Sequence, residues 1–153
     1  MNEFNHSFVS STNWTEAVGL SAAKAVLQKF SQSDPELKII ELGNYWSQLI
    51  SEVAKTSDFE LQTSGLPGMR YLTHPADSDV FRTLFTIFGL SKNYLVAGRY
   101  YPNTAQTKND LDEYAELLSD AIHLYKGMNA RERISFCGHI LPGGFNVLAG
   151  LDD

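Results

Sequence analysis

Val80-Phe81-Arg82-Thr83-Leu84-Phe85-Thr86-Ile87-Phe88-Gly89-Leu90 is the densest apolar run of the chain, and its reading decides the fold. Phe81, Leu84, Phe85 and Phe88 recur at the three- and four-residue spacing of one helix face, and Val80 and Ile87 widen that face. A helix apolar around so much of its girth belongs at the centre of a core. Asp77, Ser78 or Asp79 suits its N-cap, and Gly89, taking the left-handed conformation, suits its end. The spacing therefore predicts a central helix over residues 79–89.

Amphipathic segments flank it on both sides. Asn13, with Glu16 three residues on, resembles a capping box opening a helix to about Phe30, whose buried face would hold Gly19, Ala22, Ala23, Val26, Leu27 and Phe30. Asp34-Pro35-Glu36 starts a second helix that runs to Lys55 or Thr56. Its stripe is Ile39, Leu42, Trp46, Leu49, Ile50 and Val53, with Ile40 and Tyr45 outside it. Asn109 or Asp110 opens a further helix striped by Leu111, Tyr114, Ala115, Leu118, Ala121, Ile122 and Tyr125, which Gly127 ends. Asn129 caps a last helix that contains Cys137 and Ile140, is weakened by Gly138 and stops at Leu141-Pro142. Between the second and the central helix, residues 58–74 alternate on both sides of Pro67-Gly68, which suits a type II turn; a short β-hairpin or an irregular loop fills this stretch. Residues 1–12 read as a polar arm, and the tail from Phe145 is apolar enough to fold back on the body. The expected fold is all-α: a single domain over residues 13–153, with about five helices around the central one.

Composition sets the limits on function. With 43% hydrophobic and 20% charged residues the chain is globular rather than disordered. One cysteine, Cys137, excludes an intramolecular disulfide framework. The N-terminal Met-Asn-Glu-Phe-Asn-His shows no basic region followed by an apolar one, and no stretch reaches the roughly 20 apolar residues of a membrane span, so a cytoplasmic protein without membrane contact is expected. A net charge of −6 works against a nucleic acid as partner.

One stretch pulls the other way. Val80–Gly98 resembles the helix-turn-helix class of DNA-binding motifs: an apolar helix, Gly89 in the turn, Ser91 as N-cap and a second helix bearing Lys92, Asn93 and Tyr94. The resemblance implies Lys92 and Asn93 as base readers and Arg82 and Arg99 as phosphate contacts. Phe85 departs from it, standing where the motif wants a small residue, and the second helix is short. A core helix joined to its neighbour by a glycine corner explains the same residues.

Other constellations lose to simpler readings. Asp120 and His123 could reach one cation, but they lie opposite the apolar stripe and have no matching pair on another helix. Cys137 and His139 are two apart, so on a helix they diverge and cannot form a nucleophile–base pair. Leu141-Pro142-Gly143-Gly144 lacks the spacing of a phosphate loop. No catalytic residue, metal site or cofactor is assigned. The sequence reads as a small non-enzymatic interaction or regulatory module that meets another protein through the acidic face Glu113, Glu116 and Asp120, together with Tyr100 and Tyr101. Aromatics off the main stripes also admit a homodimer, and a helix-turn-helix regulator using residues 80–99 is the alternative.

Overall fold

The computed structural model describes residues 17–74, 78–96 and 98–140. The chain divides into two compact units, the first ending at Pro35 and the second beginning at Glu36. The expected arm over residues 1–12, the Asn13 cap and the tail from Leu141 lie outside the described residues. No described helix is long and apolar enough to cross a membrane.

The first unit carries α1 (Ala17–Gln32), and none of its residues is buried. The face expected to be buried is open to solvent: Val26 is 53% and Leu27 is 70% exposed. Helical periodicity shows that a face is apolar; it does not say whether anything covers it.

The second unit runs α2 (Pro35–Thr56), β1 (Gln62–Leu66), β2 (Met69–Thr73), α3 (Ser78–Ser91), β3 (Arg99–Tyr100), α4 (Lys108–Gly127) and α5 (Ala130–Cys137). The all-α expectation is therefore corrected: three antiparallel strands, in the order β1-β2-β3, stand among the helices. The hairpin pairs Gln62 with Thr73 through Leu66 with Met69, leaving Pro67 and Gly68 as its two-residue turn. The turn is not of type II, because the positive φ falls on Gly65 (φ +90) rather than on Gly68. β3 was invisible to local pattern. It is two residues long, and only its pairing of Arg70 with Tyr100 and Tyr71 with Arg99 makes it a strand.

α3, the stretch quoted first, packs on α4 and α5. Leu84 and Phe85 are fully buried and Phe81 nearly so. The helix does not end at Gly89 but runs through it to Ser91. Its end is a Schellman motif, with Tyr94 N–H donating to the Gly89 carbonyl (2.9 Å) and Asn93 N–H to that of Leu90 (3.1 Å). Asn93 takes the left-handed conformation (φ 65) that the reading assigned to glycine. Gly89 is needed for closeness instead: a Cβ there would come 2.3 Å from Val96 Cγ2. α2 ends the same way, with Phe59 N–H on the Ala54 carbonyl (3.0 Å), Asp58 N–H on that of Lys55 (3.3 Å) and Asp58 at φ 44. Lys126, in the last turn of α4, donates to the Ser57 carbonyl at 2.8 Å and so places a cation at the negative end of α2.

α4 starts one residue earlier than expected, on a capping box made by Thr107 and Asp110. α5 begins on the expected Asn129 cap, where Glu132 completes a second box. It stops at Gly138 (φ 64) rather than at Leu141-Pro142. Gly138 is thus its C-cap and not an interior weakness.

α2 lies against the hairpin turn so closely that a Cβ on Gly43 would sit 1.9 Å from the Pro67 carbonyl oxygen. Helix propensity alone makes Gly43→Ala stabilising by about 1 kcal/mol. The backbone clash reverses the sign, with an expected net loss of about 1–3 kcal/mol. Gly127→Ala, where a Cβ would meet nothing within 4 Å, is the control and should be neutral or stabilising. Urea denaturation of both variants checks the pair.

Candidate functional site

The acidic face of α4 is built by the register that buries Leu111, Leu118 and Ile122, which leaves Asp112, Glu113, Glu116 and Asp120 exposed. Two of these acids are tied down by tyrosines from elsewhere. Tyr45 donates its hydroxyl to Asp112 Oδ1 at 2.6 Å, and Tyr94 donates to Glu113 Oε2 at 2.7 Å. Each bond stabilises the neutral phenol and raises the tyrosine pKa. Asn109 donates to the other Glu113 oxygen at 2.9 Å. Glu116 and Asp120 make no ion pair among the described residues.

Of the two tyrosines expected at the contact surface, Tyr101 is exposed but Tyr100 is not. Tyr100 is only 7% exposed, stacks on Trp46 with ring centroids 5.3 Å apart and donates to Gln106 Oε1 at 3.2 Å. Burial, with the Asp110 charge adding to it, pushes its pKa up to about 12. Pairing with β2 turns this side chain inward, so it is withdrawn as a contact residue. Beside it, Trp46 Nε1 and the Tyr114 hydroxyl are buried, and neither meets hydrogen-bond geometry with any group among the described residues. Burial also raises the pKa of Tyr114, an effect that the nearby indole N–H opposes.

The helix-turn-helix arrangement is not formed. Lys92 and Asn93 occupy a turn, residues 94–96 are not helical and Arg99 lies in β3. Arg82 pairs with Asp79 at 3.2 Å, Lys92 sits over the Phe88 ring at 5.8 Å and Arg99 over the Tyr71 ring at 5.6 Å. The Schellman turn at Asn93 redirects the chain into a strand, leaving no second helix to enter a groove.

Cys137 is buried, with Sγ 3.7 Å from the Val80 carbonyl, while His139 is exposed. Among the described residues no three His, Cys, Asp or Glu side chains gather as a metal site would need. Sequence reasoning missed the setting of His74. Its ring stacks on Phe59 at 4.4 Å and meets the edges of Phe81 and Tyr125 at 5.8 Å, with Nδ1 2.8 Å from the Glu60 carbonyl. Arg133 covers Tyr125 with its guanidinium 3.8 Å from the ring centroid. No spacing in the sequence links these residues, which come from three helices and two loops.

Among the described residues, clefts open on the second unit at the following places. One of about 440 Å³ lies at the end of α2, lined by Lys55, Asp58, Phe59 and Glu60. One of about 280 Å³ lies between α2 and α4, and one of about 220 Å³ lies between the β3 region and the start of α4.

With this geometry in place, known proteins give one point of comparison. The structure of the FumI protein of Sphingopyxis sp. MTA144, in its PLP (pyridoxal phosphate) internal aldimine form, is similar to this chain with a TM-score of 0.69. The match covers 92% of this chain and 33% of that one at 19% sequence identity, so the likeness is one of fold and the chain spans about a third of the length of its neighbour. No protein-family model matches the sequence, and no curated protein does.

The α4 cap carries a pH signature. Asp110 Oδ2 accepts the Thr107 backbone N–H at 2.7 Å and its hydroxyl at 2.9 Å, which holds the carboxyl below the usual carboxylate range. A depressed folded pKa gives stability that is present above the ordinary Asp pKa of about 3.9 and lost as pH falls through the folded value. Asp110→Asn should therefore be less stable than the parent chain near neutrality, with the gap closing as pH falls below about 4. Denaturant midpoints measured across that range check it.

Proposed function

We propose that this chain is a domain of the pyridoxal-phosphate-dependent class that performs no cofactor chemistry itself and works by contact with the polypeptide that holds the cofactor. The observation carrying the reading is the fold. An arrangement spanning 92% of the chain recurs as a third of a protein whose cofactor is held as an internal aldimine. Such an aldimine joins the cofactor to a lysine amine in a shielded pocket.

The residues here do not fit that role. All seven lysines of the sequence, Lys24, Lys29, Lys38, Lys55, Lys92, Lys108 and Lys126, are described and exposed. Lys38 donates to the Thr104 carbonyl, Lys108 pairs with Glu41 at 2.7 Å and Lys126 donates to Ser57 and Asp58. Lys55 lines an open cleft. A lysine in water is protonated and cannot hold a Schiff base against hydrolysis. No step through the cofactor is derived for this chain, and its part is that of an interaction module, as its composition suggests. Glu113, Glu116, Asp120 and Tyr101 are the exposed residues that would meet the partner.

Borohydride reduction after incubation with pyridoxal phosphate tests both halves. The purified chain alone should give only scattered, substoichiometric pyridoxyl-lysine. Chain captured from its native lysate should be retained with a polypeptide region, outside residues 17–140, that carries the pyridoxyl group on one lysine. Stoichiometric labelling of a single lysine within residues 17–140, or captured material without any pyridoxyl-lysine, overturns the reading.

A further inference from the structure

The cleft of about 220 Å³ between the β3 region and the start of α4 has no role in the readings above. It is more enclosed than the clefts at the end of α2 and between α2 and α4. Its volume falls below the roughly 300–1,000 Å³ of a pocket for a drug-sized ligand, so it suits a group of a few heavy atoms. Three tyrosines border it: Tyr94 from the segment after α3, Tyr100 from β3 and Tyr114 from α4. Among the described residues no ring contact joins any two of them. Trp46 takes one face of Tyr100 and lies outside the lining, so Tyr100 turns its other face or its edge to the cleft.

Negative charge dominates this cleft. Asp110 lines it, and only its Oδ2 serves the Thr107 cap; Oδ1 makes no hydrogen bond or ion pair among the described residues. The charges that act on the Tyr94 hydroxyl are those of Glu113, Asp110 and Glu116. Tyr94 donates its hydroxyl to Glu113, and Tyr100 donates to Gln106. A phenol that donates gains electron density, which strengthens the negative face of its ring. Among the described residues Arg99 is the one cation of the lining, and its guanidinium stands 5.6 Å from the centroid of Tyr71, a ring outside the cleft.

We propose that this cleft receives a methylated ammonium group, with Tyr94, Tyr100 and Tyr114 around it and Asp110 as its counter-charge. An organic cation is attracted to the negative face of an aromatic ring within about 6 Å, and more strongly where water is excluded. Methyl groups suit the rest of the lining, where Leu95, Val96 and Leu111 are apolar. A bare ammonium carries three N–H donors, and among the described residues Asp110 Oδ1 is the one unspent carboxylate oxygen of the lining. A carboxylate ligand is a poorer fit, because it would meet Asp110 and the neighbouring Glu113. The same head group ends a free quaternary amine or a trimethylated lysine side chain, and binding strength separates the two. The proposal stands apart from the cofactor reading: failure of either leaves the other in place.

Proton NMR of choline titrated with the full chain tests it. The expected result is a saturable upfield shift of the methyl protons, caused by the ring currents around them. The neutral tert-butyl analogue of choline, which keeps the shape and lacks the charge, should bind at least about threefold more weakly. Tyr94→Leu should weaken choline binding by about threefold or more, whereas Tyr94→Phe, which keeps the ring, should stay within about twofold of the parent. Tyr94 is 37% exposed, so both variants keep the core, and their circular dichroism should match that of the parent chain. A trimethyl-lysine peptide that binds more tightly than choline identifies a protein side chain as the source; the reverse order identifies a free amine. No saturable shift in millimolar choline, equal binding of the neutral analogue, or full affinity in Tyr94→Leu would each overturn the proposal. Acetate bound in preference to choline, and lost in Arg99→Gln, would do the same.

Discussion

Trp46 is fully buried, with Tyr100 stacked on its indole at 5.3 Å and Tyr114 tilted against it at 6.0 Å. Those three rings belong to α2, β3 and α4, and Phe85 of α3 meets the edge of Tyr114 at 5.7 Å. One contiguous group of aromatic side chains thus joins four elements of the second unit. Truncating a buried tryptophan of this kind typically removes about 3–5 kcal/mol, a large share of the stability of an ordinary domain. The two-residue strand has few backbone bonds to hold it, so the Trp46–Tyr100 stack fixes its place as much as the sheet does.

Around that group the chain is steered by its helix ends. α2 and α3 each stop on a Schellman motif whose left-handed residue is Asp58 or Asn93, not glycine. The glycines do other work: Gly43 and Gly89 let backbone or side chain come closer than any Cβ would allow. This division explains why the hairpin lies close on α2 and why Val96 reaches α3. It also explains the loss of the DNA-binding arrangement, since the turn at Asn93 sends the chain toward β2.

The functional reading rests on the same economy. The second unit puts its aromatics inside and leaves its lysines in water, so it keeps no shielded amine for a carbonyl cofactor. At the surface of the second unit stand an acidic helix face and an apolar cleft whose glutamates make no ion pair among the described residues. The proposed interaction role would draw on these surfaces.

Periodicity determined a good deal by itself. The central apolar helix, the Pro35 start of α2, the α4 stripe and the Asn129 cap were all legible, because each depends on residues within a few positions of one another. The hairpin was legible as an alternative, since alternation and a Pro-Gly turn are local too. The third strand was not: Arg99 and Tyr100 become a strand only by bonding to Arg70 and Tyr71, about thirty residues away in the sequence. For the same reason Tyr100 looked like a surface residue and proved to be core, and nothing local shows that His74 lies against Phe59, Phe81 and Tyr125. The exposure of α1 is the reverse case. Sequence showed that its face is apolar, but whether such a face is buried depends on what lies opposite, and only tertiary structure decides that.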